Sequence, residues 1–216
     1  NTIPASRLDP GALKLLDYYP LPNAAGTVDG RNNYTGAPAS RIDYNSQILR
    51  IDQVFSENHR MYGSFSQSHV LGRQGVILAN IARGTLSNTR YRGLALDDVI
   101  TLRPDLVVNV RYGFTRLRPL SEPLSIGFDL STVGFAPALV RQLDPKLTAL
   151  PEIAVDQYES IGAGSGSRTA TNYHSITGTV SNIRGNHSLR FGGEYRTLQE
   201  NNYNYGNVSP SLNFGV

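Results

Sequence analysis

From residue 45 onward, large apolar side chains recur at every second position, in runs separated by short polar breaks. Leu49, Ile51 and Phe55 fall on one face of an extended chain, and Arg50 and Asp52 on the other. After the break Ser56-Glu57-Asn58-His59, a second run sets Met61, Gly63 and Phe65 opposite Tyr62, Ser64 and Ser66. Two alternating runs joined by a tight polar break predict a hairpin. A strand-like run over 88–102 ends before Arg103-Pro104-Asp105, where proline suits a turn and not a central strand. Leu106, Val108, Val110, Tyr112 and Phe114 then alternate with Val107, Asn109, Arg111, Gly113 and Thr115, the clearest strand of the chain. A third hairpin is predicted over 171–183 and 187–198, around Arg184-Gly185-Asn186. It places Leu189, Phe191 and Tyr195 on one face and Arg190, Glu194 and Arg196 on the other.

The remaining segments read as loops. Residues 1–44 hold one short helix, with Asp9 placed to cap it, Pro10 at its first position and Ala12, Leu13, Leu15 and Leu16 following. A second excursion, 119–168, contains Pro119, Pro123, Pro137, Pro145 and Pro151, with short helices predicted near 129–134 and 137–143. The breaks near 57, 104 and 185 are short, whereas the connections at 70–87 and 119–168 are long. Short turns at one end and long loops at the other are what outer-membrane barrels show. The expected fold is all-β: a partial antiparallel transmembrane β-barrel of about six strands, with a loop region at 1–44 and one barrel unit over 45–216. The chain starts at Asn1 with no basic or apolar leader, so a fragment of a longer exported protein is expected.

Composition narrows the function classes. Of 216 residues, 39% are hydrophobic and 17% charged, and Tyr (12) outnumbers Phe (7) with no Trp. Many tyrosines and alternating faces suit a wall between lipid and water. The longest apolar stretch, near Val76–Ala82, is far too short for a membrane helix, but a transmembrane strand needs only about 9–11 residues. Net charge is +3. Arg90, Arg92, Arg111, Arg116 and Arg118 form its densest stretch, and since no face or run concentrates the charge, no nucleic-acid partner is expected. The absence of cysteine excludes disulfides, thiolate metal sites and cysteine nucleophiles.

Catalytic patterns fail one by one. Gly162-Ala163-Gly164-Ser165-Gly166 lacks the Gly-Lys-Ser/Thr of a phosphate loop and reads as loose coil. Ser165 lacks the Gly-x-Ser-x-Gly elbow. His59, His69, His174 and His187 have no ligand spacing, and His59 and His187 read as solvated turn residues. Asp97 and Asp98 are adjacent, so on a strand they point to opposite faces; Asp98, sharing a face with Leu96 and Ile100, implies a bulge or another register. No enzyme activity, metal or cofactor is expected. Arg50, Asp52, Arg111, Arg190, Glu194 and Arg196 would line a wet lumen if the apolar faces meet lipid, forming ion pairs and hydrogen bonds there.

Several segments carry a family likeness. Ile3-Pro4-Ala5-Ser6-Arg7-Leu8-Asp9-Pro10 with Leu15-Leu16-Asp17-Tyr18-Tyr19-Pro20-Leu21-Pro22-Asn23 resembles a loop of the Oar-like TonB-dependent transporters. Arg50-Ile51-Asp52-Gln53 to Phe55, His59-Arg60 and Phe65-Ser66 resemble a strand pair of the same family. So do Gly127-Phe128-Asp129-Leu130, Val133-Gly134-Phe135, and Gly185-Asn186-His187-Ser188-Leu189-Arg190-Phe191-Gly192-Gly193-Glu194-Tyr195. The resemblance covers nearly the whole chain. It implies a bacterial outer-membrane receptor that imports a bulky solute, partnered by membrane lipid, by a plug domain and by the TonB complex, the last two lying outside this chain. Two other functions remain open: a soluble extracellular β-domain that binds glycan or polymer, and a barrel adhesin or pore without TonB. A β-rich hydrolase is disfavoured by the failed catalytic patterns.

Overall fold

The computed structural model describes residues 4–162 and 165–215. A 3-10 turn, Ala5–Arg7, precedes α1 (Pro10–Leu16), where Asp9 Oδ1 accepts from the Ala12 amide at 2.9 Å. Asp9 thereby satisfies an amide that has no partner inside the helix. Four strands follow as a meander: β1 (Ala39–Ser56), β2 (His59–Val76), β3 (Thr85–Arg103) and β4 (Leu106–Pro123). The chain then runs through a 3-10 turn, Leu130–Val133, and the short α2 (Pro137–Val140) to β5 (Glu152–Val155). β6 (Ser167–Arg184) and β7 (His187–Asn204) form the last hairpin, and β8 (Ser211–Phe214) closes the order.

The main sheet has six antiparallel strands in the order β1-β2-β3-β4-β6-β7. Its three hairpins turn through Glu57-Asn58, Pro104-Asp105 and Gly185-Asn186, all at one end, as the sequence predicts. Gly185 takes φ 60, a left-handed conformation that glycine adopts without steric cost. The other end carries the connections 77–84 and 124–166 together with residues before β1 and after β7. The sheet is open, and residues of both edge strands, β1 and β7, are exposed on both faces.

The strands are longer than the pattern suggests. β2 reaches Val76 and β3 starts at Thr85, so the break expected over 70–87 shrinks to 77–84. β4 likewise continues to Pro123, and β6 begins at Ser167. The physical reason is a change of phase. Leu49 and Ile51 lie on one face of β1, but Ile42, Tyr44 and Ile48 lie on the other. On β4 the apolar side chains run to Phe114 on one face and resume with Leu117 on the opposite one. The chain stays extended while its hydrophobic positions change sides.

The densest packing of the molecule is not on the sheet. Leu78, Ala82, Leu150, Ile153 and Ile161 form a buried cluster made wholly of loop-end residues, with Leu15, Tyr18, Tyr19, Tyr34, Phe128 and Val155 packed against it. Tyr18 meets Phe128 edge to face at 6.0 Å. Tyr19 Oη donates to the Glu159 carbonyl at 2.7 Å, and Arg83 pairs with the Glu159 carboxylate at 2.6 Å. β5 and β8 pair in parallel, which no local pattern announces. The glycine-rich stretch is not loose coil where it is described. Gly162 and Gly166 are buried, and the Gly162 amide donates to the Ala82 carbonyl at 2.8 Å; Ala163 and Gly164 lie outside the described residues.

Candidate functional site

Directly opposed residues in an antiparallel sheet share a face, so the register sorts every side chain of the wall. One face, nearest the turns, is apolar. A row across all six strands reads Ile51, Gly63, Leu96, Tyr112, Ile176 and Tyr195, and the next reads Leu49, Phe65, Leu94, Phe114, His174 and Thr197. Val108, Val180 and Phe191 continue this belt toward the turns. No described layer covers it: Leu94, Leu96, Val110 and Ile176 stand between 36% and 49% exposed. A soluble sheet would bury such a face against a second layer.

The opposite face at the same height is polar. Its central row runs Asp52, Tyr62, Asp97, Arg111, Thr177 and Glu194, with one residue from each strand. Arg50 pairs with Asp52 at 2.7 Å and lies over the Tyr62 ring at 3.9 Å. Arg111 pairs with Asp97, and Arg196 binds Glu194 through two hydrogen bonds. Asp97 is buried, and Asn109 Nδ2 donates to its Oδ1 at 2.6 Å. All six residues singled out by the sequence therefore occupy this face, Arg190 standing opposite Ser181. Five of them belong to three ion pairs whose charges cancel, the sixth member being Asp97, the partner of Arg111.

Asp98 needs neither a bulge nor another register. It sits on the apolar face as the alternation dictates, and His59 Nε2 lies 2.7 Å from its Oδ1. His59 also stacks on Phe55 at 4.7 Å, so it is a partnered side chain and not a solvated turn residue. His174, in the belt, takes a 2.8 Å hydrogen bond with the Tyr112 hydroxyl, and His69 one of 2.9 Å with Asn88.

Above the belt the two faces exchange character. On the belt side, Gln47, Gln67, Arg92, Arg116, Asn172 and Gln199 form the next row, followed by Asn45, His69, Arg90 and Arg118. The other side carries Ile48, Tyr91, Leu117, Tyr173 and Leu198. Positive charge is thus concentrated on one face after all, because hairpin register stacks arginines that the sequence spreads over two strands. Among the described residues, two cavities open at the loop end. One of about 450 Å³ opens beside Arg90, Arg118 and Arg168. The other, about 520 Å³ and mostly apolar, lies among Leu15, Leu16, Val133, Phe135, Leu212 and Phe214.

An exposed apolar belt, an ion-paired face behind it, two-residue turns at one end and a loop layer at the other describe a membrane-spanning barrel wall. Searches of curated proteins and of solved structures return no significant match. The family model of the outer membrane beta barrel domain matches residues 1–216. The chain belongs to that family, and its place is the bacterial outer membrane.

Proposed function

We propose that the chain forms part of the wall of a TonB-linked receptor that binds and imports a bulky solute, with the belt face turned to lipid and the ion-paired face to the lumen. The row Asp52–Tyr62–Asp97–Arg111–Thr177–Glu194 carries the reading. A lumen filled by a plug or crossed by polar cargo favours hydrogen-bonding groups already held in place, whereas hydrocarbon penalises them. The loop layer, with its own buried cluster, supplies a shaped outer mouth above that lumen. The Oar-like segments named above point the same way. On this reading the wall binds and passes the solute without altering it.

Two measurements test this. A nitroxide at Leu96→Cys in the full-length protein, reconstituted in vesicles, is expected to be accessible to oxygen and shielded from a water-soluble nickel chelate. The reverse accessibility would overturn the orientation. The detergent-solubilised full-length protein is expected to capture a purified TonB C-terminal domain. Absence of capture would overturn the TonB link and favour an adhesin or pore.

A further inference from the structure

We propose that the loop half of the belt face binds the phosphate groups of a phosphorylated glycolipid seated in the outer leaflet beside the wall. The proposal rests on the orientation given above. Arg92 stands directly opposite Arg116, and Arg90 directly opposite Arg118, across β3 and β4. Arg168 follows two residues higher on β6, opposite Leu120. Like charges facing each other in a strand pair repel. A phosphate between them reverses the sign of that interaction, since guanidinium groups bind its oxygens in charge-assisted pairs.

The cluster differs from seven of the other arginines, whereas Arg7, Arg60, Arg73, Arg141, Arg184 and Arg190, like it, form no ion pair among the described residues. Arg31, Arg41, Arg50, Arg83, Arg103, Arg111 and Arg196 all pair with carboxylates. Among the described residues, Arg90, Arg92, Arg116, Arg118 and Arg168 take part in no ion pair. Arg116 Nε is buried without a hydrogen-bond partner, and so is Asn172 Oδ1, directly opposite it.

Space is present as well. Pairing between β4 and β6 lapses between Leu117↔Thr171 and Leu120↔Arg168, where Pro119 has no amide to offer. The 450 Å³ cavity lies at this gap. Its one lining carboxylate, Glu122, already accepts from Tyr205 Oη at 2.5 Å, and Arg168 stacks on Tyr203 at 4.9 Å.

Position selects a lipid over a soluble anion. The Arg92–Arg116 row follows directly on the Leu94–Phe114 row, roughly 7 Å along the strands. Headgroup phosphates are held at that boundary by their own acyl chains, so each need only be captured, not recruited from solution.

The test uses the full-length protein in nanodiscs of phosphatidylcholine doped with diphosphoryl lipid A or with its dephosphorylated form. Lipid retained through detergent exchange is expected to favour the diphosphoryl form by roughly tenfold or more. In Arg90→Gln/Arg118→Gln, and separately in Arg92→Gln/Arg116→Gln, that preference is expected to fall severalfold. Thermal stability in lipid-free detergent is expected to rise in both variants, because the facing charges are gone; a merely structural role predicts a fall. Equal retention of the two lipids, or unchanged preference in folded variants, would overturn the proposal. Protection by millimolar inorganic phosphate alone would replace it with a soluble-anion site. The nitroxide at Leu96→Cys separates the premises: if it reports hydrocarbon while retention shows no preference, this proposal fails and the orientation stands.

Discussion

Asp97 lies at the centre of the wall with 4% of its surface exposed, and Arg111 faces it from β4 as its counter-charge. The two partners are unequally exposed, the Arg111 side chain standing at 65%. Arg111→Met leaves a buried carboxylate with Asn109 as its remaining side-chain donor, at an expected cost of about 1–3 kcal/mol. Asp97→Asn leaves a guanidinium that water can reach, at an expected cost below about 1 kcal/mol. Urea unfolding in vesicles should show this asymmetry, and the double variant should recover part of the Arg111→Met loss.

The belt predicts a depth-dependent penalty. Leu96→Arg sets a cation on the apolar face and is expected to cost about 2–4 kcal/mol near the midplane. Ala95→Arg, one residue before Leu96 and on the ion-paired face between Ser64 and Gly113, is expected to cost well under half as much, because its head stays in water. Comparing the two in one lipid, by unfolding midpoint, checks the assignment of faces without any ligand.

The loop layer is expected to loosen independently of the wall. Leu150 is completely buried in the cluster with Ile153 and Ile161. Leu150→Ala should cost about 2–5 kcal/mol within that layer. Because the buried members of the cluster come from the loop end and β5 and none from the six-stranded sheet, limited proteolysis should cut within 124–166 while the heat-resistant electrophoretic mobility of the folded barrel is unchanged.

Tyr205 gives the loop end an alkaline limit. Burial, and then its hydrogen bond to the Glu122 carboxylate, push its hydroxyl up to about 12 from an ordinary 10.0. The folded state therefore holds this proton more tightly than the unfolded one. The stabilisation is fully present below pH 10 and is lost as pH rises through about 12. Protease release of the segment after β7 should accelerate over that window, and Tyr205→Phe should abolish the pH dependence.

The hairpins were legible because their turns are two residues long and their turn-proximal halves keep one phase. Strand length was not, since Arg116 and Arg118 occupy the positions where continued alternation would place apolar residues, and Leu117 sits between them on the other face. Of the candidate site, the six polar residues could be read from alternation alone. Their mutual pairing, the partnership of Asp98 with His59 and the grouping of Arg90 and Arg92 with Arg116 and Arg118 depend on register across separate hairpins. No periodicity within one strand records that. The parallel contact of β5 with β8 joins segments far apart in the chain and leaves no trace in either.

The exchange of character halfway up each strand also fixes where the wall can come to rest. A uniformly alternating wall could slide along its own axis with little penalty. With the belt face turned to lipid, sinking by one row would carry Arg92 and Arg116 into hydrocarbon, and rising by one would draw the polar turns at Pro104-Asp105 and Gly185-Asn186 into it. Each displacement is opposed from a different end, so vertical position is written into the side chains with no need of an anchor elsewhere.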